Sequence, residues 1–576
     1  MPTYSPLPAS IEDFHWTRWE DLQPWFDELL AVDLTPGTLP GFLRQQSDLD
    51  ECVGESINRL YVATNCDTAD PAKETAYLGF LKEVEPSLDR AYQALMAKLL
   101  DSGLSAPGLE RPLRKMRAWR AIFRLENQPL AVELGESENA FNQWSSAWRA
   151  EFEGAPRTAT EMQKVLEDPE RGRRMAAWKA SMAVFAGRRE EFDRIYDQMV
   201  DLRHRQALNA GFGSYTEFRF EQFGRFDYTP QDCLGLHAAL AATAVPLARR
   251  INALRARGLG MAPEELRPWD LELDGLSKAE AARLPNAPTL EEGVAEIYAR
   301  SCPATLAHYQ RLRQLGHLDL EDRPGKRLAG FCSTFDRSKS CFIYMTANGT
   351  PADALTLLHE GGHAMHSLEA QRRVDYNMQA MAPYECCEGV AMSQELLALP
   401  QLGVFYSPED SARIGLGMLL GIPAFLGYAS AIDAFQHWAY AHPKAGHAER
   451  DAEGLSLCLR LMPGQGWEAL PAEAATFWHR KQHVFNSAFY YYEYIVAQLF
   501  ALQVWRRSRK DPAGAAADLV KAMGLGGTVG IPGFFAAAGA EFRLDRTFLE
   551  GLMRDLAQAI NEGLAALGQA PLPELP

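Results

Sequence analysis

The sequence has few cysteines, no paired cysteine motif and a shortage of positive charge. Its 576 residues include nine cysteines, an odd number, and none of them stands in a CxxC pair. Lys and Arg total 58 against 75 Asp and Glu, which gives a formal net charge of −17. A duplex nucleic-acid binder needs a basic face to displace counterions, so this balance argues against nucleic acid as a partner. The scattered cysteines argue against a disulfide framework and favour a reducing compartment, the cytoplasm.

Targeting and membrane signals are also sparse. The N-terminal stretch up to Trp16 has no basic region followed by an apolar one, so we expect no signal peptide. We also expect no membrane-spanning helix, because the richest late apolar stretch, Tyr494 to Trp505, is too short to cross a bilayer. These features predict a cytoplasmic protein with no membrane partner.

Helical periodicity is what the sequence does contain. At 47% hydrophobic and 23% charged residues, the composition is that of a folded protein with a large core. Apolar residues recur every three or four positions, which predicts amphipathic helices over 74–100, 158–208, 231–258 and 289–315. Pro86 is expected to kink or split the first of them. The predicted fold class is therefore mainly α.

One segment departs from the helical pattern. Residues Arg327 to Asn348 are rich in aromatic and β-branched residues around a polar centre, Asp336 to Ser340. That pattern predicts a β-hairpin or two short strands directly before the most informative motif of the chain.

The motif is His-Glu-Gly-Gly-His at 359–363. On a helix, positions i and i+4 share a face, so His359 and His363 can direct imidazole nitrogens at one metal ion. Glu360 is then placed to take a proton from a water molecule at the metal. Two glycines inside a helix each cost about 1 kcal/mol relative to Ala, which close approach of a metal, a ligand or another backbone would justify.

A catalytic zinc site needs a third protein ligand and one open position. The downstream candidates are Glu369, Glu385, Glu388 and Glu395. We favour Glu388 because it opens an apolar segment, 389–398, that reads as a second helix able to return to the first. The predicted metal ligands are thus His359, His363 and Glu388.

These residues resemble the thimet oligopeptidase and oligoendopeptidase F family of zinc metallopeptidases. The family pattern is HExGHxxH, a ligand Glu about 25 residues later and another acidic residue seven beyond it. The matching positions here are His359, Glu360, Gly362, His363, His366, Glu388 and Glu395. The resemblance covers roughly residues 325–545. It departs from the family at Gly361 and at the Cys386-Cys387 pair, neither of which removes a ligand.

The resemblance implies a two-lobed helical zincin with a deep substrate channel and a small β-sheet beside the HExxH helix. With it we expect an N-terminal helical region at 1–185 and a catalytic region at 186–576, packed as one ellipsoid. The implied activity is zinc-dependent hydrolysis of internal bonds in short, unfolded oligopeptides. One Zn²⁺ ion per chain would activate water, and Glu360 would be the general base.

A late aromatic cluster is the second candidate region. If His483 to Phe500 forms one helix, then His483, Ser487, Tyr490 and Tyr494 share a face. The resemblance implies oxyanion stabilisation by a late His and by a Tyr pair spaced by three, which here are His483, Tyr491 and Tyr494. The helical face alone would favour Tyr490 over Tyr491, so that choice stays open, and a packed aromatic seam is the alternative for the whole group.

The roles of His366 and Glu395 and the class of peptidase stay open at the level of sequence. His366 is either a neighbour of the site or a structural histidine, and Glu395 either hydrogen-bonds a ligand histidine or forms a plain helix salt bridge. The same HExxH-plus-Glu site would serve a carboxypeptidase or a dipeptidase, and a non-catalytic peptide-binding protein is the distant alternative. Side-chain specificity and oligomeric state are not encoded in any pattern that we recognise.

Overall fold

A computed structural model describes residues 4–273, 275–276 and 286–574. Within this part of the chain, helices dominate and strands are few and short. The first half contains α1 (Trp19–Ala31), α2 (Leu39–Cys66), α3 (Pro71–Gly79), α4 (Glu85–Asp101), α5 (Glu110–Ile122), α6 (Asn127–Ala147), β1 (Ala150–Phe152), β2 (Ala155–Arg157), α7 (Ala159–Val165), α8 (Arg171–Ala186), α9 (Arg189–Asn209), α10 (Tyr215–Phe223) and α11 (Pro230–Gly258).

The second half follows in the same style. It contains α12 (Ala287–Ser301), α13 (Leu306–Leu315), β3 (Leu318–Glu321), β4 (Phe331–Phe335), β5 (Ser340–Ala347), α14 (Pro351–Arg373), α15 (Tyr384–Ala398), α16 (Pro408–Ala441), α17 (His447–Leu461), α18 (Pro471–Ala475), α19 (Gln482–Asn486), α20 (Tyr491–Ser508), α21 (Pro512–Met523), α22 (Ile531–Ala537) and α23 (Arg546–Ala566). The prediction of a mainly α fold with a small sheet is confirmed.

The chain divides into two compact units, each built from three separate stretches. Unit 1 comprises residues 1–120, 281–411 and 499–542, and unit 2 comprises 121–280, 412–498 and 543–576. The boundary that we expected between residues 185 and 186 falls inside α8 and inside unit 2. Among the described residues, the chain passes between units inside α5, α16 and α20, and again at 542–543 between α22 and α23. Three of these four crossings therefore fall inside a helix.

Unit 1 contains the sheet and the HExxH helix. The sheet has strand order β3-β5-β4, with β3 parallel and β4 antiparallel to β5. The predicted hairpin is present, with Phe331 opposite Tyr344 and Phe335 opposite Ser340. Helix α14 packs on β5 and β4, and α1, α2 and α4 close a separate core around fully buried Phe26 and Phe42.

Three of the four predicted helical runs are interrupted. The 74–100 run splits as α3 and α4 around a π-helical turn, Phe80–Val84, which lies directly before Pro86. The 158–208 run forms three helices, and the 289–315 run breaks at the short 3₁₀ turn Pro303–Thr305. The run 231–258 is continuous as α11, although it carries Pro246. Periodicity shows which residues face a core, but it continues across breaks that keep the same face buried.

Helix α16 corrects our expectation about membrane-spanning segments. It is long and apolar enough to cross a bilayer, with a mean hydropathy of 1.6 over its best window. That window is 61% buried inside the protein, as in the core helix of a folded unit. Its residues Phe435 and Tyr440 are buried against Trp478 and Phe489 of unit 2.

The expectation of a single helix from His483 to Phe500 is wrong. The chain leaves helical geometry after α19, and Phe489 takes a left-handed backbone conformation with φ +67°. Backbone carbonyls in this break accept hydrogen bonds from two arginines: the half-buried Arg219 donates to Ala488 at 3.2 Å and the buried Arg225 to Phe489 at 2.6 Å. These donors replace the intrahelical bonds that a continuous helix would have made.

Candidate metal centre and active site

Helix α14 begins where its sequence predicts and carries both histidines of the motif. The Asp353 carboxylate accepts the backbone N–H of Thr350 at 2.8 Å, and Pro351 occupies the first turn, as is typical of a helix start. One turn separates His359 from His363, and their ring centroids lie 4.9 Å apart. Both imidazoles therefore project from one face of α14.

Helix α15 contributes the third side chain. The Glu388 Oε2 atom lies 3.4 Å from Nε2 of His359 and 3.6 Å from Nε2 of His363. The three candidate ligand atoms all lie within 4.8 Å of one another, and Glu385 does not join them among the described residues. We call these three residues, His359, His363 and Glu388, the α14–α15 cluster.

The two glycines of the motif are explained by close packing. A β-carbon on Gly362 would lie 2.7 Å from Cα of Ala391 in α15, closer than real carbon atoms approach. A β-carbon on Gly361 would lie 2.3 Å from the Tyr298 hydroxyl, which donates to the Leu358 carbonyl at 3.3 Å. The glycines thus admit a neighbouring helix backbone on one side and a tyrosine on the other, and they bring Glu388 within reach of the histidines.

Glu395 orients one of the histidines. The Nδ1 atom of His359 lies 2.7 Å from Oε1 of Glu395, so Nδ1–H donates to that carboxylate. Because Nδ1 is held by Glu395, Nε2 is the ring nitrogen that faces Glu388 and is the one placed to bind a metal ion. The sequence left two interpretations of Glu395 open. In the structure Glu395 accepts a hydrogen bond from a histidine of the motif.

Glu360 lies beside the cluster in a buried position, 8% exposed. Burial, together with the nearby carboxylates of Glu388 and Glu395, outweighs the attraction of His359 and raises the pKa of Glu360 to about 7. A carboxyl group with a pKa near neutrality can both accept and release a proton. A β-carbon on Gly330, just before β4, would lie 3.6 Å from Oε1 of Glu360, so the start of this strand lies close to the carboxyl group.

The electrostatics of the α14–α15 cluster favour a cation. Burial lowers the pKa of His359, but hydrogen bonds to Glu388 and Glu395 outweigh burial and raise it well above its usual value. Burial lowers the pKa of His363 to about 4, so this ring is neutral and can offer a nitrogen lone pair to a metal ion. Two imidazole nitrogens and one carboxylate oxygen form a donor set that catalytic zinc sites use, with a fourth position open to water or substrate. The residues present fit a zinc ion.

His366 and Glu369 lie further along α14 and away from the cluster. His366 is 4% exposed and packs against the Phe534 ring at 5.4 Å, and burial lowers its pKa to about 3. Glu369 is paired with His308 at 2.8 Å and with Arg372 at 2.8 Å. Among the described residues, Nε2 of His366 has no hydrogen-bond partner, so both interpretations of His366 stay open.

The late aromatic residues form a cluster of their own in unit 2. The His483 ring lies 5.2 Å from Tyr491, 5.8 Å from Tyr490 and 6.1 Å from Tyr494. Tyr490 and Tyr491 are both 5.4 Å from Tyr494, so the choice between them is not decided by proximity. The break before α20, rather than a shared helical face, brings His483 to the tyrosines.

Two neighbours of Tyr491, Lys481 and Tyr428, were not identified from the sequence. The Lys481 ammonium lies 4.6 Å from the centroid of the Tyr491 ring, and the Tyr428 ring lies 6.0 Å away on α16. Burial raises the pKa of Tyr491, which keeps the phenol protonated and able to donate a hydrogen bond. No local pattern marks Tyr428, because it lies within the long apolar run of α16.

A mainly helical fold with an HExxH helix, a glutamate from the following helix and a small adjacent sheet defines a metallopeptidase-like protein. The sequence profile of peptidase family M3 matches residues 164–554, more than half of the chain. The protein belongs to this family, and membership supports a metal-dependent peptidase. A comparison with curated protein sequences gave no match.

Solved structures share the fold at low sequence identity. PZ peptidase A, determined with an inhibitor, is 23% identical with a TM-score of 0.86, over 96% of this chain and 99% of that chain. The proposed oligoendopeptidase F of Bacillus anthracis is 21% identical with a TM-score of 0.81, over 96% and 98%. The oligoendopeptidase-F of Enterococcus faecium is 17% identical with a TM-score of 0.60, over 95% and 98%. The fold is therefore shared over nearly the whole length.

Proposed function

We propose that the protein is a zinc-dependent endopeptidase that hydrolyses internal bonds of short, unfolded oligopeptides. The observation that carries this proposal is the convergence of His359, His363 and Glu388 from α14 and α15, with the carboxyl group of Glu360 beside them. The set has the composition of a catalytic zinc site, and it stands next to a buried carboxyl group that can exchange protons near neutral pH.

Each residue has a distinct part in the proposed reaction. A zinc ion held by the α14–α15 cluster would polarise the scissile carbonyl and make a water molecule acidic enough to attack it. Glu360 accepts the proton of the attacking water and delivers it to the leaving amine nitrogen. Glu395 holds His359 in the tautomer that presents Nε2 to the site.

The sheet offers a way to bind an extended peptide. Strand β4 pairs with β5 on one side and lies at the end of the strand order, so its outer edge can receive another strand. On that strand the Thr334 carbonyl accepts a hydrogen bond from Asn58 at 2.8 Å, and Gly330 at the other end lies beside Glu360. Main-chain pairing at 330–333 would place a peptide bond near the proton acceptor and would select extended backbone over side-chain identity.

The aromatic cluster keeps the role that the family resemblance implies. We propose that Tyr494, Tyr491 and His483 donate hydrogen bonds to the oxyanion that forms on the scissile carbonyl. Conversion of a tyrosine to phenylalanine removes only the hydroxyl, so Tyr494→Phe should lower kcat more than it changes KM.

The decisive experiment is a peptidase assay on the purified protein with a quenched decapeptide. We expect cleavage that stops with a chelator and returns with zinc, and His363→Ala should hold one zinc equivalent per chain fewer than the wild type. Peptides with free and amidated C-termini should be cleaved at similar rates and at internal bonds. A strict need for a free C-terminal carboxylate would favour a carboxypeptidase, and zinc binding without any cleavage would favour a non-catalytic peptide-binding protein.

A further inference from the structure

Unit 2 contains a second group of metal-ligating side chains, outside the site described above. Cys233 and His237 are spaced i, i+4 on α11, and Asp433 and His437 are spaced i, i+4 on α16. Each pair occupies one face of its helix, and the two faces meet. We call these four residues the α11–α16 cluster.

The other three side chains of the cluster lie around the carboxylate of Asp433. The candidate ligand atoms of Cys233, Asp433 and His437 all lie within 4.8 Å of one another. The Oδ2 atom of Asp433 lies 2.9 Å from Nε2 of His237 and 3.3 Å from Nε2 of His437. These separations are similar to or shorter than those in the α14–α15 cluster, where the corresponding distances are 3.4 and 3.6 Å.

The cluster is buried, and its polar atoms lack hydrogen bonds. Cys233 and Asp433 are fully buried, and His237 and His437 are 4% and 7% exposed. Among the described residues, neither oxygen of Asp433, neither ring nitrogen of His237 nor Nε2 of His437 has a hydrogen bond of acceptable geometry. The imidazole nitrogens lie close to the carboxylate without the alignment of a hydrogen bond. A buried carboxylate in this state is costly unless a cation neutralises it.

The surroundings are apolar on one side and accessible on the other. The Phe489 ring lies 4.9 Å from His437, and the Tyr492 ring lies 6.3 Å from His237. A surface groove lined by His237, His437 and Trp438 reaches the cluster and gives an ion a route to it.

We propose that Cys233, Asp433 and His437 bind a second metal ion, of the zinc class, with His237 beside the Asp433 carboxylate. One thiolate, one imidazole and one carboxylate are ligands of the kinds that tetrahedral zinc accepts, whereas Ca²⁺ and Mg²⁺ require oxygen ligands. The ion ties α11, through Cys233, to α16, through Asp433 and His437. The site stabilises unit 2 by joining two helices that lie far apart in the sequence.

The first test is metal content by mass spectrometry on the full-length protein. We expect two zinc equivalents per chain in the wild type, one in His363→Ala, one in Cys233→Ser and none in the double variant. Cys458→Ser, a change at another buried cysteine of unit 2, is the matched control and should keep two. A single equivalent in the wild type that disappears in His363→Ala would overturn the proposal.

The second test detects a thiolate ligand directly, and its first measurement uses the wild-type protein. Cobalt(II) in place of zinc gives a near-ultraviolet charge-transfer band only when a thiolate is a ligand, and the α14–α15 cluster has none. The band should be present in the wild type and in His363→Ala, and absent in Cys233→Ser. Absence of the band from the fully loaded wild-type protein would show that the cluster is a metal-free polar network or binds the metal without the thiol. Persistence of the band in Cys233→Ser would show that Cys233 is not the ligand.

Discussion

The α14–α15 cluster and the α11–α16 cluster use the same helical spacing but differ in exposure. His359 and His363 keep 21% and 23% of their side chains exposed, whereas the α11–α16 cluster is nearly or completely buried. Each cluster has three mutually close candidate ligands, and the first also has the proton-exchanging carboxyl group of Glu360 beside it. The comparison teaches that spacing assembles ligands, while exposure and a neighbouring proton acceptor decide whether chemistry can follow.

The largest expected effect tests the third ligand of the exposed cluster. Glu388→Ala should remove the metal of the α14–α15 cluster and reduce peptidase activity to the level of the chelated enzyme, since two histidines alone hold zinc weakly. Metal content and cleavage of the quenched peptide measure this. Glu385→Ala, three residues earlier on α15, should retain both; if it loses the metal instead, the assignment of the ligand is wrong.

Loss of the proton acceptor should be nearly as severe without loss of metal. Glu360→Gln keeps the size of the side chain but cannot take a proton, so turnover should fall by about a hundredfold or more. The zinc content of both clusters should stay at the wild-type level. Near-normal turnover in a fully loaded variant would remove Glu360 from the mechanism.

A smaller effect is expected from the residue that orients His359. Glu395→Ala removes the acceptor of the 2.7 Å hydrogen bond and should weaken zinc binding about tenfold to a hundredfold. Glu395→Gln keeps an acceptor oxygen and should recover most of that loss. Competition with a zinc chelator gives the affinities, and equal affinities in all three proteins would mean that the bond is not functional.

Substitutions in the α11–α16 cluster should lower stability more than substitutions in the α14–α15 cluster, the reverse of their expected order for activity. His437→Ala removes the imidazole that lies 3.3 Å from the buried Asp433 carboxylate and should lower the free energy of unfolding by about 3 kcal/mol. His363→Ala, at a more exposed position, should lower it by less. Urea unfolding measures both, and a larger loss for His363→Ala would contradict the contrast drawn from burial.

The smallest expected effect concerns the helix contact that assembles the exposed cluster. Gly362→Ala places a β-carbon against Ala391 and should destabilise the protein by about 1–3 kcal/mol while shifting Glu388. Gly551→Ala, on α23 with open space around it, is the matched helical control and should be neutral or slightly stabilising. Equal effects would show that the close approach at Gly362 is not tight.

Much of the exposed cluster could be predicted from the sequence, because its information is local. The spacing of His359 and His363 needs only helical geometry, and the hairpin at β4 and β5 needs only composition and a polar turn. Predicting the third ligand required a choice among four glutamates. We chose Glu388 because it opens a second apolar segment, which forms α15. That these residues bind zinc stays a prediction.

The failures share a different cause. At the break before α20, Arg219 and Arg225 satisfy the carbonyls of Ala488 and Phe489, and both arginines are more than 250 positions away in the sequence. Likewise α16 has the composition of a membrane helix, and burial within a folded unit accounts for its apolar character. Neither outcome can be read from a local pattern, since the deciding partner is distant in the sequence.

The sequence by itself determined the mainly helical class, the family resemblance and the pair of histidines one helical turn apart. Tertiary structure decided the division into two discontinuous units, the partner of Glu395 and the meeting of α11 with α16. The physical reason is that a helix or a hairpin is defined by hydrogen bonds and periodicity over a few residues. Contacts such as Asp433 with His237 join positions nearly two hundred residues apart, and only the packed fold brings them together.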